Sequence, residues 1–429
     1  MTVGIDAKRI VRNGTGLGSY GRTLVNDLLR LDDGTTTERR QSDSGRLALR
    51  LYAPDEGRQE LRKQVKAEAA EAAAGTAEVA AGTAEAAAGT AEAAAGTAET
   101  AAAGTAEVAA KPQPTEKAAK TTAVWCFSGR KSALAKAWWR SRGIVKDLVR
   151  DGVQVYHGLS GELPTGLKKA GIRGVVTIHD LIFLRHPEYY HWWDVQLYAW
   201  KFRQTLKEAD RIIAISERTR QDIIELGGAE YADRISVIYQ SFSPKFTSTA
   251  TAEQKTAVRQ RWQLPARYIL NVGTIERRKN VLLAAEALEL LPQDVHLVVV
   301  GRQTDYAREL PQSERIHLLS GVSDEDLAVI YQLAEVFVYP SRYEGFGIPI
   351  IEAIAAGLPV VACTGSCLEE AGGPHCRYVG PDDVIGMAEA LKMSLKGAPE
   401  REECIRKSRE YIRRFEGSDV AAQVRRVYG

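Results

Sequence analysis

Two glutamates set eight positions apart, Glu344 and Glu352, flank a glycine loop in the run Tyr339-Pro-Ser-Arg-Tyr-Glu344-Gly-Phe346-Gly347-Ile348-Pro349-Ile-Ile-Glu352. An apolar run ends at Tyr339, and Pro349 suits the opening position of a helix, where a missing N–H costs nothing. This reading puts Glu344 in the loop and Glu352 in the first helical turn. The main-chain N–H groups of Gly345 through Ile350 are then free to hold an anion such as a diphosphate. A carboxylate in a first turn can simply complement the helix dipole, an effect of about 0.3–1 kcal/mol. That accounts for Glu352 and leaves Glu344 and both loop glycines without a reason. The pair Arg278-Lys279 supplies the opposite charge. One cation about 4 Å from an anion gains roughly 4 kcal/mol at an effective dielectric of 20, enough to steady a leaving diphosphate without a metal. His179, followed by Asp180, closes the run Val175–Ile178. A lone histidine at a strand end is more often structural, but this one falls where a cleft edge is expected. His157 holds a similar place after Tyr156 and is open to either reading.

These groups need a scaffold that brings strand ends together. Short runs rich in Val and Ile recur along the chain: Val3–Ile5, Leu47–Tyr52, Val124–Phe127, Val153–Tyr156, Val175–Ile178, Ile212–Ile215 and Ile235–Ile238, then Tyr268–Val272, Leu297–Val300, Ile316–Leu318, Val336–Tyr339 and Val360–Ala362. Little polar alternation within them predicts strands buried on both faces, as in parallel sheets covered by helices. Helical patterns between them predict βαβ units and doubly wound α/β domains. A break near Ser243-Pro244-Lys245 and the Thr- and Ala-rich stretch after it place a linker at about 241–252. The expected architecture is two Rossmann-like domains, 1–242 and 253–403, facing a central cleft where open α/β sheets bind ligands.

Residues 57–121 stand apart as Ala, Glu, Gly and Thr, with GTAE units beginning at Gly75, Gly82, Gly89, Gly96 and Gly104. Glycine and threonine weaken helix, and an Ala/Thr/Gly seam is too small for a coiled coil. The stretch reads as a solvated, partly helical insertion in the first domain, ending at Lys111-Pro-Gln-Pro114. The rest of the chain has ordinary globular composition. Its 57 Lys and Arg against 55 Asp and Glu give a net charge of +2, which argues against a general nucleic-acid binder. No apolar run reaches the ~18 residues of a membrane span. The N-terminal residues lack a signal-peptide layout, and five scattered cysteines suit a reducing, cytoplasmic setting. Cys363 and Cys367 read as small buried thiols rather than a metal pair. The segment Arg130–Arg150 carries seven cations, one anion and Trp138-Trp139. It is either a peripheral contact with anionic lipid or a surface helix whose tryptophans pack inward. Tyr189-Tyr190-His191-Trp192-Trp193 either lines an acceptor side or packs the core.

Two motifs mislead. Gly16-Leu-Gly18-Ser-Tyr-Gly21 is a literal G-x-G-x-x-G, but Lys8 through Asn13 separate it from the first strand, and no acidic residue follows a second strand at about 20 residues. An NAD-dependent oxidoreductase is therefore discounted. Asp324-Glu325-Asp326 is a literal D-x-D, yet it follows Ser323 and suits a helix start.

Taken together, E-G-F-G-I-P-I-I-E resembles the E-x7-E signature of retaining GT-B glycosyltransferases, specifically glycosyltransferase family 4. Asn271-Val-Gly273-Thr274-Ile-Glu-Arg-Arg278-Lys279-Asn280 resembles that family's donor-phosphate loop, with Thr274 where some members have Arg. Gly321-Val322-Ser-Asp324 resembles its base-contact segment, Ala362–Gly373 the loop after the next strand, and Thr15-Gly16-Leu-Gly18 its first-domain glycine loop. Val176-Thr-Ile-His179-Asp180 and Ala214-Ile-Ser216-Glu217 match further positions. The resemblance implies a metal-independent hexosyltransferase needing no cofactor beyond its nucleotide-sugar donor, GDP-mannose as first choice and a UDP-sugar as the alternative, with a glycan or lipid-linked acceptor. It implies that Glu344 contacts the transferred sugar and Glu352 the ribose. The amides of Phe346, Gly347 and Ile348 would hold sugar and phosphate, Arg278 and Lys279 the diphosphate, and His179 the reacting region. Gly16, Gly18, Gly273, Thr274, Val322 and Asp324 would complete the donor site. Retention would proceed by front-face attack, and the last helix, about 404–429, would cross back to the first domain. A sugar-nucleotide-binding protein without activity is the other class weighed, and the intact Glu and Arg-Lys pairs speak against it.

Overall fold

The computed structural model describes residues 1–14, 16–31, 47–65, 123–415 and 417–429. The described strands form two wholly parallel sheets. The first has the order β3-β2-β1-β4-β5-β6-β7, from β1 (Thr2–Asp6), β2 (Ala48–Ala53), β3 (Ala123–Phe127), β4 (Val155–Gly158), β5 (Arg173–Ile178), β6 (Arg211–Ala214) and β7 (Ile235–Val237). The second has the order β10-β9-β8-β11-β12-β13, from β8 (Arg267–Val272), β9 (Val295–Val300), β10 (Ile316–Leu319), β11 (Val336–Tyr339), β12 (Val360–Cys363) and β13 (Arg377–Val379). Each sheet reverses its winding direction once, at β1/β4 and at β8/β11, so each has a crevice at the carboxyl ends of its central strands. The apolar runs are buried on both faces as their composition requires: β4, β11 and β12 are buried at every position.

Three sequence expectations are corrected. The strand expected at Val153–Tyr156 begins two residues later, so His157 lies inside it rather than at its end. β13 was not foreseen, because Arg377-Tyr-Val379 carries no apolar run. The insertion expected from residue 57 starts later: residues 59–65 are helical, and Leu61 and Val65 are buried on the first domain. The GTAE repeat itself lies outside the described residues.

The chain passes between the two sheets twice. After β7 the connection packs Phe246 against Tyr331 of the second domain, and Thr251 opens the helix Ala252–Arg261 with a reciprocal capping box. At the far end, the helix Arg401–Ile412 and the turn Arg413–Phe415 lead into the helix Gly417–Tyr428. That last helix buries Val420, Ala421, Val424 and Tyr428 in the first domain with Leu24, Val25 and Leu28.

His157 belongs to this anchorage. It is fully buried, with Nδ1 2.8 Å from Tyr428 Oη and Nε2 2.8 Å from Thr177 Oγ1. Burial, and the nearby His179, push its pKa down to about 3, so it stays neutral. Its role is structural. Tyr428→Phe would leave one ring nitrogen without a partner, and an orphaned buried polar atom costs about 1–3 kcal/mol. A lowered urea midpoint is the expected result.

Candidate active site

The carboxyl end of β11 delivers the glutamate loop. Pro340, Ser341, Arg342 and Tyr343 carry the chain out of the sheet, and the helix Ile348–Ala355 takes it back. The helix starts at Ile348, one residue before the expected position, so Glu352 stands in the second turn, beyond the reach of simple dipole complementation. Gly347, at φ 134°, provides the sharp entry that a side chain would strain. The amides of Phe346, Gly347 and Ile348 donate to no group among the described residues. Phe346 itself is stacked between Tyr239 and Phe415, so it offers the site only its backbone. Beneath the loop, the Cys367 thiol donates to the carbonyls of Glu344 and Phe346, and Cys363 to that of Pro340. These two cysteines prop the loop.

Glu344 is 9% exposed and sits between the two cations singled out in the sequence. Lys279 Nζ donates to its Oε1 at 2.5 Å, and Arg278 Nη1 lies 2.9 Å from its Oε2. Burial alone would push the carboxyl up, but the charges of Lys279 and Arg278 outweigh it and hold the pKa at about 2. The cations are held in turn: Lys279 also donates to Tyr339 Oη at 2.8 Å, and Arg278 to the Tyr343 carbonyl and to Glu276, both at 2.7 Å. The short turn Arg277–Lys279 that presents them ends at Asn280, left-handed at φ 54° and fastened by its amide to the Pro381 carbonyl. Gly273, at φ 152°, lies within van der Waals range of the Lys279 stem, with Thr274 next in the chain.

Glu352 has a different environment. It is partly buried, with one neutral partner among the described residues, Tyr331 Oη at 3.2 Å from Oε2. Burial raises its pKa to about 8, opposed weakly by that hydrogen bond and helped by the charge of Asp324. Two carboxyls eight residues apart are thus set in opposite protonation states near neutral pH. Asp324 is the exposed first residue of the helix Asp324–Leu333, and Val322 just before it packs on the second-domain core. The D-x-D carboxylates diverge, because Asp326 is turned inward onto Arg261 and Trp262.

The first domain meets this loop at Tyr343, whose hydroxyl donates to Asp222 and accepts from Arg218, and at Gly345. A Cβ on Gly345 would lie 2.0 Å from the carbonyl oxygen of His179, so only glycine allows the approach. Ser216 Oγ donates to the Gly345 carbonyl at 2.8 Å, and Thr219 Oγ1 reaches the carbonyls of both Gly345 and His179. Glu370 of the second domain accepts from the amides of Glu217 and Arg218 at the start of the helix Glu217–Gly227. Asp180 faces the same charged group, its pKa raised by burial and lowered by Arg278. His179 is at the cleft, but both ring nitrogens are spent: Nε2 donates to the Leu159 carbonyl at 2.8 Å, and Nδ1 accepts from the Gln240 amide at 2.7 Å. Burial pushes its pKa down to about 4, so it is a neutral wall of the cleft and no proton carrier. Gln240 and Cys367 were not anticipated, since nothing in their local sequence announces a partner far along the chain.

The first-domain glycine loop divides. Gly16 has φ 54° and open space around it. At Gly18 a Cβ would fall 1.9 Å from the Asn13 carbonyl oxygen, so the protein's own backbone already requires glycine here. The helix Leu17–Leu31 that follows sets Tyr20 edge-on against His179, with ring centroids 4.8 Å apart.

This geometry matches known proteins. Residues 254–411 fit the family model of glycosyl transferases group 1, and residues 105–245 that of glycosyltransferase family 4. O-antigen chain mannosyltransferase B of Escherichia coli is 32% identical over 286 residues, 64% of this chain and 74% of that protein. The chain belongs to glycosyltransferase family 4. This family 4 glycosyltransferase is also 26% identical to O-antigen chain mannosyltransferase RfbU of Salmonella typhimurium, over 58% of the chain and 67% of the relative. Its fold superimposes on the crystal structure of Anabaena HepE in complex with UDP and glucose with a TM-score of 0.65, at 15% identity, covering 99% and 97% of the two chains. The two-sheet GT-B architecture expected from the sequence is therefore the observed one.

Proposed function

We propose that this glycosyltransferase moves a hexose, mannose from GDP-mannose by preference, onto a glycan or lipid-linked acceptor in polysaccharide biosynthesis, with retention of configuration and without a metal ion. The observation that carries the reading is the buried Glu344, ionised between Arg278 and Lys279 directly below the open amides of Phe346–Ile348. A sugar diphosphate laid across that loop meets two fixed cations at its phosphates and a carboxylate at its sugar. As the bond to the anomeric carbon breaks, charge grows on the phosphate, where Arg278 and Lys279 are already oriented; such preorganised groups stabilise the transition state more than the ground state. With both ring nitrogens engaged by Leu159 and Gln240, His179 offers no base, which suits a front-face reaction in which the departing phosphate takes the acceptor proton. The mannosyl assignment leans on the two O-antigen mannosyltransferase relatives. A UDP-sugar donor is the competing reading. A thermal-shift panel of GDP, UDP and ADP decides it: stabilisation by GDP alone supports the mannosyl reading, and stabilisation by UDP alone replaces it. Transfer from GDP-mannose to an oligosaccharide, with the new anomeric centre assigned by NMR, tests the stereochemistry.

Glu352 adds a pH dependence. Ribose hydroxyls donate to a carboxylate, so binding selects the ionised form of a group that is protonated below pH 8. Nucleotide affinity is expected to rise by up to about tenfold per pH unit from pH 6.5 and to level off above 8. Glu352→Gln should flatten that profile in calorimetric titrations; an unchanged slope would remove Glu352 from the ribose.

A further inference from the structure

The helix Trp192–Glu208 is apolar on two opposite faces. Val195, Ala199, Phe202 and Leu206 form the inner stripe, all buried in the first domain. Trp193, Leu197 and Trp200 form the outer one, 77%, 48% and 56% exposed. At 3.6 residues per turn these three side chains fall within about 60° of one another. The preceding Trp192 is 62% exposed. Large indoles held in water over a length of helix are unfavourable unless something covers them.

The neighbouring surface indicates what that is. Glu162 accepts from both Lys201 of this helix and Arg140 of the segment Arg130–Arg150, which fixes the two side by side. In that segment Trp139 is buried, while Trp138 and Leu134 stand out in solvent. Of its seven cations, Lys136, Arg140 and Arg150 are spent on Asp55, Glu162 and Asp147. Arg130, Lys131, Arg142 and Lys146 are exposed and make no ion pair with any described residue. Exposed indoles beside uncompensated cations are what an anionic bilayer surface attracts: apolar rings enter the headgroup boundary and cations meet phosphates. An acidic protein partner would satisfy the cations but not the row of indoles.

We infer that the outer face of Trp192–Glu208, together with the exposed cations of Arg130–Arg150, is a docking surface for an anionic lipid bilayer. The surface follows His179 and Asp180 closely along the chain, since the helix opens at Trp192. It runs about 25 Å along the first domain. The inference does not depend on the transferase reading, and failure of either leaves the other standing.

The test is co-sedimentation of the full chain with vesicles of zwitterionic phosphatidylcholine, alone or with about 30 mol% phosphatidylglycerol. Binding is expected to the anionic vesicles, at least about tenfold weaker to the neutral ones, and to fall as salt rises from about 0.1 M to 0.5 M. Two independent variants are expected to lose it by about tenfold or more, Trp193→Ala/Trp200→Ala and Arg142→Glu/Lys146→Glu, with their thermal shifts by nucleotide unchanged. Absence of vesicle binding would overturn the inference. So would equal binding to both vesicle types, or a solution dimer that the tryptophan variant dissociates.

Discussion

Glu344→Gln is expected to lower transfer by about 10²- to 10³-fold, the usual loss when one preorganised charged group is taken from a reacting centre. The same substitution has an opposite effect on ligand response. In the free protein the Glu344 carboxylate compensates Arg278 and Lys279, both largely buried. Glutamine leaves Lys279 with no adjacent anion and Arg278 with Glu276 alone, and breaking a buried pair from one side costs about 3–5 kcal/mol. A nucleoside diphosphate brings anionic charge back to the same cations. The variant should therefore melt earlier than the parent and yet gain more melting temperature from a saturating nucleoside diphosphate. Parallel melting curves for parent and variant, with and without nucleotide, check both halves. Full transfer activity in the variant, or a smaller nucleotide shift than in the parent, would place the diphosphate elsewhere.

Gly345→Ala is the second large effect. The added methyl carbon would be 2.0 Å from the His179 carbonyl oxygen, a backbone atom that cannot swing aside. The domains would have to separate, breaking the bonds of Ser216 and Thr219 to the Gly345 carbonyl. Water exclusion and alignment depend on that closure, so transfer should fall by about 100-fold. Nucleotide affinity, which the proposed site assigns to second-domain groups, should change by less than about threefold, a split that a merely misfolded variant would not show. Wild-type rates in Gly345→Ala would mean the contact between His179 and Gly345 is not part of the working state.

What could be read from the chain beforehand depended on how local each signal was. Strands buried on both faces announce themselves, because Val, Ile and Leu must fill every position, and Tyr268–Val272 or Val336–Tyr339 need no neighbours to be recognised. Arg377-Tyr-Val379 escaped because it borrows its place from β12 and lacks that composition. Glutamate spacing brought Glu344 and Glu352 into view, but not their opposite protonation, which depends on Lys279 and Arg278 near one and only Tyr331 near the other. Gly18 stood out in the glycine loop, while the close approach of the Asn13 carbonyl that its lack of a side chain permits is visible only in the fold. His179 was placed at the cleft, while the loss of its ring nitrogens to Leu159 and Gln240 is a fact of tertiary packing alone. The run Tyr189–Trp193 reads equally as an acceptor wall or as core, because both stripes of the helix it leads into are apolar.

The double passage of the chain between the lobes restricts how they can move. One covalent tether would let the halves swivel, splay and twist about one another. Two tethers, after β7 and again at Arg413–Phe415, act like the paired pins of a door, leaving rotation about the line that joins them as the easy motion. Each opening then returns the second lobe along the same arc, and Gly345 arrives at the His179 carbonyl in register every time.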